Sequence, residues 1–344
     1  MLLLHRITNP NRHPASAAER CPDLLAVWLR YAPQSQPEDC DFEDWAEPAA
    51  ILAALEKHGT PQILPAVRRG LFSGDNTPLV KTTPGAEDAV MWGMFHPSDS
   101  IDFPVACNLL WNSEKQVRAV QNYALSPVFR AHAGRAFHVC DVTDDSVSAA
   151  IVALREAGHT KGFVKTRDKG EANLFNILQS IDSGLSYSLD LQDPYLFVTR
   201  EGDKNALFIQ EAIRPTREYR MIVVGDTVVT GAGCIEAFTP CNNTGDAFDC
   251  RMEVVRNQGE IVEDVITLRR YQSFAYAYAK AWAREHGNDM AYSLDLCVNA
   301  DTGKVQIIEM NPCCNLGLYA NRPDLLIGAM VKQAPARRIA ALAS

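Results

Sequence analysis

The sequence predicts an α+β chain in which antiparallel hairpins alternate with long helices, preceded by an N-terminal α/β unit. Three observations carry this. Apolar runs at 219–224 and 228–231 flank Gly225-Asp226, a two-residue turn whose geometry matches the twist of paired strands. Residues 292–299 and 305–311 alternate in the same way around Ala300-Asp301-Thr302-Gly303-Lys304. Between the hairpins, residues 266–286 place Tyr271, Phe274, Tyr278 and Trp282 at spacings of three and four, an aromatic stripe that core packing explains without a ligand.

The elements follow in order. Residues 1–44 carry several prolines and weak periodicity, so they read as a loosely structured lead-in with one short helix around Leu24 to Tyr31. From Trp45 a helical pattern runs through Ile51, Leu52 and Leu55 to His58-Gly59, and short apolar runs follow at 89–95 and 105–111; residues 45–139 form the N-terminal α/β unit. Residues 140–214 form the next unit. It opens with a helix over 143–158, with Thr143 or Asp144 as N-cap and Gly158 at the stop. In the strand GFVKT that follows, Phe163 and Lys165 share one face, opposite Val164 and Thr166. After the polar stretch TRDKGE, strands near 195–200 and 207–213 flank the turn Glu201-Gly202-Asp203-Lys204. Residues 215–335 hold both hairpins named above, a polar loop at 240–251 and the long helix.

Bulk properties narrow the class. A chain of 344 residues implies two or three packed units, and 47% hydrophobic with 22% charged residues is a soluble globular profile. A net charge of -9 and a pI near 5.4 argue against a broadly basic nucleic-acid surface, so phosphate partners must be met by local groups. Ten cysteines with no CxxC pair read as reduced thiols rather than a zinc site. The start MLLLHRITNPNRH supports neither a signal peptide nor a membrane anchor, which points to the cytoplasm.

The last hairpin carries the most chemistry. If it closes symmetrically about Thr302, Asp295 faces Glu309 and Ser293 faces Asn311 on one face of the ribbon. Like charges opposed in a sheet destabilise it, and a cation removes the conflict. Two carboxylates with the Asn311 amide form an oxygen-only set suited to magnesium. A register shifted by one residue, which turns one carboxylate to solvent, is the competing reading. Upstream, Lys165 serves either as a fixed charge on phosphates or as a solvated edge residue. Glu211 and Glu218 flank the connection 212–217, which includes Ile213 and offers backbone hydrogen-bond groups to a base, while a carboxylate accepts from ribose hydroxyls. Glu218 and Arg220 share a strand face, and the simpler alternative there is a surface ion pair.

Taken in order, FVKT, FIQEAIRPTREYRMIVVG and YSLDLCVNADTGKVQIIEMNP over residues 130–330 resemble the ATP-grasp superfamily. The resemblance implies two α+β subdomains gripping a nucleotide, a small one at 140–214 and a large one carrying the metal site at 215–335. It places Lys165 on phosphate, Glu211 and the backbone at Ile213 on adenine, Glu218 on ribose, and Asp295, Glu309 and Asn311 on Mg2+. The segment EYR implies Arg220 on the terminal phosphate, as in the cell-division-cycle assembly-factor type and a phage and bacterial ATP-grasp group. Lys165 and Arg220 are thus the catalytic pair.

Three features depart from the family pattern. The upstream phosphate lysine is missing, with Arg130 or Arg135 as stand-ins. Ser293 stands where an arginine often precedes the first metal carboxylate, and the loop over the phosphates, 167–174, has one glycine. The implied reaction is ADP-forming ligation of a small-molecule or peptide carboxylate to an amine or other nucleophile through an acyl-phosphate, using ATP and Mg2+. Asp295→Asn or Glu309→Gln is then expected to abolish magnesium-dependent turnover with the fold intact. An ATP-binding assembly protein without ligase activity fits the same motifs, and a nucleotidyltransferase centred on Lys165 fits less well because its spacing is wrong.

Overall fold

The computed structural model describes residues 21–31, 42–57, 62–64, 79–81, 89–91, 119–167, 172–177, 204–312 and 316–342. The expected strand at 195–200 with turn residues 201–203, the apolar run at 105–111, residues 168–171 of the 167–174 loop and Cys313-Cys314 lie outside them. In chain order the first elements are α1 (Pro22–Tyr31), α2 (Phe42–Glu56), β1 (Gln62–Leu64), β2 (Leu79–Lys81), β3 (Ala89–Met91), α3 (Pro127–His132), β4 (Phe137–Cys140) and α4 (Asp144–Glu156). Then come β5 (Lys161–Thr166), β6 (Ala172–Asn176), β7 (Leu207–Glu211), β8 (Pro215–Val224), β9 (Thr227–Gly233), β10 (Arg251–Glu253) and β11 (Ile261–Glu263). The last are α5 (Val265–His286), β12 (Ala291–Asn299), β13 (Val305–Pro312) and α6 (Pro323–Leu342). Helices are combined with sheets ordered β1-β2-β3, β4-β7-β5-β6, β13-β12-β8-β9 and β10-β11, an α+β class as the sequence predicts.

The chain divides into two compact units, one of Met1–Val120, Thr216–Val298 and Ile308–Ser344, the other of Gln121–Pro215 and Asn299–Ile307. The smaller unit is built on β4-β7-β5-β6. Thr143 caps α4, its side chain accepting from the Ser146 N–H, and Gly158 at φ +86 follows the helix as the sequence predicts. Val147, Ile151 and Leu154 of α4 cover Val164, Leu207 and Ile209 on one sheet face. Strands β5 and β7 pair antiparallel, Lys165 opposite Phe208 and Gly162 opposite Glu211. On the other face, Tyr123, Phe129, Phe137 and Phe208 form edge-on and tilted ring contacts at centroid distances of 4.7 to 5.7 Å.

In the larger unit, β12 is buried along its whole length, so both of its faces are covered. Helix α5 starts at Asp264, whose side chain accepts from the Thr267 N–H, and ends before Gly287 at φ +91. Its predicted aromatic stripe packs inward: Tyr271, Tyr278 and Trp282 have no exposed surface, Trp282 lies 6.0 Å from Tyr292, and the Tyr278 hydroxyl meets Met310 Sδ at 3.0 Å. The opposite face presents Ile222, Val224 and Ala291 to a cluster drawn from α1, α2 and α6. The helix expected around Leu24 to Tyr31 is therefore part of a core, through Val27 and Trp28. Gly225 and Asp226 close the β8-β9 hairpin, and Gly225 takes φ +64 at the first turn position, where glycine is favoured.

Two expectations need correction. Cys21 and Cys241 form a disulfide across 220 residues of sequence, with Cα atoms 6.0 Å apart, so not all the cysteines are reduced thiols. A spacing rule cannot find a pair that only the tertiary fold brings together. At the tip of the last hairpin, Asn299 N–H donates to Lys304 O and Gly303 N–H to Asn299 O, which offsets the turn by one residue from symmetric closure about Thr302. Gly303 at φ +65 makes the four-residue loop possible. No described helix is long and apolar enough to cross a membrane.

Candidate functional site

The face of β12 and β8 that presents Ala291 and Ile222 to the helical cluster continues, by strand alternation, to Ser293, Asp295 and Arg220. Here the apolar cover stops and a polar cluster begins. Arg220 grips Asp295 with both arms of its fork, Nε to Oδ1 at 2.8 Å and Nη2 to Oδ2 at 2.6 Å. The two side chains are 8% and 7% exposed, so this is a buried ion pair, and its carboxylate is Asp295 rather than the Glu218 of the surface pair that a shared strand face allowed. Asp295 outweighs the burial penalty on Arg220 and holds its guanidinium firmly charged. Nη1 of Arg220 donates to Gly317 O at 2.8 Å, and the guanidinium lies 5.0 Å from the Tyr319 ring centre.

The segment beneath Arg220 is fixed from its far side. Glu47 of α2, buried at 8% exposure, accepts the Leu318 N–H at 2.5 Å and the Tyr319 N–H at 3.3 Å. Sequence reasoning missed Glu47, Gly317 and Tyr319 because no local pattern links a helix near residue 50 to a loop near 318.

Asn311 joins the cluster from β13. Its amide nitrogen lies 3.2 Å from Ser293 Oγ, 3.1 Å from Asp295 Oδ2 and 3.1 Å from Glu309 Oε1. The two carboxylates can only accept, which fixes the amide orientation, and the two N–H bonds are shared among the three partners. The four residues predicted to share one face therefore meet despite the offset at the turn. The cation that relieves the carboxylate conflict in the structure is Arg220, a partner that hairpin register alone does not reveal.

Asn311 Oδ1 is buried and accepts no hydrogen bond from the described residues. An orphaned buried acceptor beside two carboxylates fits a hard cation, whose ligands are oxygens. Among the described residues no third His, Cys, Asp or Glu side chain groups with them as a metal ligand set. Asp295, Glu309 and Asn311 are the oxygen donors gathered here, with Asp295 shared with Arg220.

Glu218 stands one strand step from Arg220 on the same face, its side chain 15% exposed. Burial raises its pKa, Arg256 opposes the rise, and the charges of Asp295 and Glu309 add to it. Arg256 Nη1 lies 3.4 Å from Glu218 Oε2.

The smaller unit holds the other predicted residues. Lys165 is half-buried, with Nζ 5.8 Å from the Tyr123 ring centre. Strand alternation puts Lys165, Phe208 and Gln210 on one sheet face and Glu211 on the other, so the Lys165 and Glu211 side chains are not brought together. Glu211 Oε1 lies 3.8 Å from His159 Nδ1, and its Oε2 accepts the Ala136 N–H at 3.3 Å. Just beyond, Ala212 N–H donates to Lys161 O, whereas the Ile213 backbone forms no hydrogen bond among the described residues. Of the proposed stand-ins for a phosphate lysine, Arg135 is committed through Nε to Gln210 at 2.6 Å and through Nη1 to Ile307 O. Arg130 is exposed and donates from Nε to Ala124 O at 3.1 Å.

Known structures include similar ones. The D-alanine-D-alanine ligase from Coxiella burnetii matches at TM-score 0.43 and 14% identity, over 66% of this chain and 62% of the ligase, so this chain spans less than two thirds of that protein. The D-cycloserine synthetase DcsG matches at TM-score 0.40 and 16% identity, over 67% and 73% of the two chains. D-alanyl-alanine synthetase A from Vibrio cholerae matches at 0.46 and 11% identity, over 84% of this chain and 93% of the other. No protein-family model matches the sequence, and no curated protein does.

Proposed function

We propose that this chain is an ATP-grasp protein that binds ATP with magnesium and forms ADP while ligating a carboxylate to an amine or another nucleophile. The observation that carries the proposal is the Arg220, Asp295, Glu309 and Asn311 cluster, whose Asn311 Oδ1 is a buried acceptor lacking a protein donor. A bound magnesium ion would supply charge neutralisation to the phosphates in an in-line transfer.

The chain's own residues supply the rest. Arg220 holds Asp295 in one orientation and thereby fixes the acidic end of the set; of its five N–H groups, two lie outside its three bonds and remain for a terminal phosphate. Lys165 supplies a second fixed cation for phosphate. The Ile213 backbone supplies the donor and acceptor pair that an adenine edge needs, next to Glu211, and Glu218 is the carboxylate for a ribose hydroxyl.

Within the superfamily, the EYR segment favours kinship with the cell-division-cycle assembly-factor type and the phage and bacterial group. The acceptors are a small-molecule or peptide carboxylate and an amine, and the proposed compartment is the cytoplasm. ADP release from ATP and magnesium across a panel of carboxylate and amine acceptors tests the ligase activity. Nucleotide binding without ADP from any acceptor would instead favour the assembly-protein alternative.

A further inference from the structure

Arg256 is a cation of this site that no sequence pattern marks. It stands in the turn between β10 and β11, and that turn is built rather than loose. Glu253, buried at 6% exposure, accepts the Asn257 N–H at 2.9 Å and the Gly259 N–H at 2.6 Å. Val254 N–H donates to Glu260 O at 2.8 Å, and Val254 O accepts the Arg217 N–H at 3.1 Å. Asn257 and Gly259 both take positive φ, +62 and +74, as the tight reversal requires.

The fixed turn carries a side chain that is 49% exposed, against 8% for Arg220. The Arg256 contact to Glu218, at 3.4 Å, is at the long limit for a hydrogen bond. Burial works against its charge, but the carboxylates of Glu218 and Asp295 favour it, and its pKa lies above the ordinary arginine value. Arg220 and Arg256 therefore divide the work. Arg220 has three of its five N–H groups on Asp295 and Gly317, whereas among the described residues the Arg256 side chain makes only the long contact to Glu218.

We propose that Arg256 is a further oxyanion-binding residue of this site, beside Arg220, exchanging its long contact with Glu218 for paired hydrogen bonds to a phosphate or carboxylate of the ligand. The planar fork matches either group, which a lysine at this position would not do. Releasing Glu218 at the same moment frees a carboxylate for a hydroxyl of the same ligand, so the two residues are loaded together. This inference rests on the proposed function for what delivers the anion, not for which residue receives it.

Arginine modification by phenylglyoxal, mapped by peptide mass on the full chain, tests it. Arg256 is expected to react while Arg220 does not, and Arg214, 71% exposed, serves as the reference. Inorganic phosphate should slow modification of Arg256 but not of Arg214, and Arg256→Gln should weaken phosphate binding about tenfold, the loss of one charge-assisted hydrogen bond. Protection that rises from ADP to ATP, each with magnesium, assigns the anion to the nucleotide; protection by acetate with ADP and ATP equal assigns it to a carboxylate substrate. If phosphate, acetate and ATP all leave the Arg256 rate unchanged, the inference is wrong. ATP that binds by equilibrium dialysis while ATP, phosphate and acetate all fail to shield Arg256 overturns this inference alone. Phosphate protection without ATP binding overturns the nucleotide proposal and leaves the anion site standing.

Discussion

Replacing Arg220 with methionine isolates what the buried pair does for the fold. The substitution leaves Asp295, 7% exposed, with only the Asn311 amide as donor among the residues that contact it here. Breaking a buried, doubly bonded pair from one side typically costs about 3–5 kcal/mol, because a charge stays buried without its partner. Replacing both ends, Arg220→Met with Asp295→Leu, removes the orphaned charge and should recover most of that loss, since apolar replacements of buried pairs are often about neutral. Asp295→Leu alone strands Arg220 and should cost a similar amount, so the interaction energy of the double-mutant cycle is expected to exceed about 3 kcal/mol in magnitude, well above the roughly 0–1 kcal/mol of a surface pair. Urea unfolding of the four proteins measures it, followed separately by tryptophan fluorescence and far-UV circular dichroism because two compact units need not unfold in one transition. A loss below about 1 kcal/mol for Arg220→Met, with unchanged urea dependence, would show that the pair is effectively solvated and that Arg220 does not organise the site.

The same pair changes how the metal ligands should be tested. Asp295→Asn strips Arg220 of its counter-charge and should lower stability as well as activity, so Glu309→Gln is the cleaner variant, with binding lost and the unfolding midpoint kept. Trp282→Ala removes a fully buried ring from the α5 stripe and should cost about 3–5 kcal/mol in the same unfolding assay. Burial raises the Glu218 pKa above its ordinary value when folded, so the native state holds its proton longer than the unfolded chain and stability falls as pH rises through the interval between the two values. Glu218→Gln should flatten this fall, measured as the urea midpoint across the acidic to neutral range. Burial pushes the Cys140 thiol up to about 11, so Cys140 should resist alkylation at pH 8 in the native protein and react after unfolding.

Hairpins and capped helices were legible because their signals are local. Gly225-Asp226, Thr143 with Gly158, and the Tyr271 to Trp282 stripe each sit within one element, and each appears in the structure as expected. The gathering of Ser293, Asp295, Glu309 and Asn311 was legible too, since the period of two in a strand sets which side chains share a face. What charge-balances that cluster was not. Arg220 comes from β8, and its support comes from Glu47 and from Gly317 to Tyr319, contacts that span up to 271 positions in sequence. The same limit hid the Cys21–Cys241 bridge and Arg256, whose partner Glu218 is 38 positions away. Strand alternation, applied to β7, could have separated Glu211 from Lys165, but only once β7 was known to pair with β5.

Calorimetric titration of ATP into the full chain, with and without magnesium, tests the central proposal most directly when wild type and Glu309→Gln are compared. Magnesium-dependent binding by wild type that is lost in Glu309→Gln, at an unchanged unfolding midpoint, is the expected result. ATP binding that is absent in wild type, or that is indifferent to both magnesium and Glu309, would contradict it.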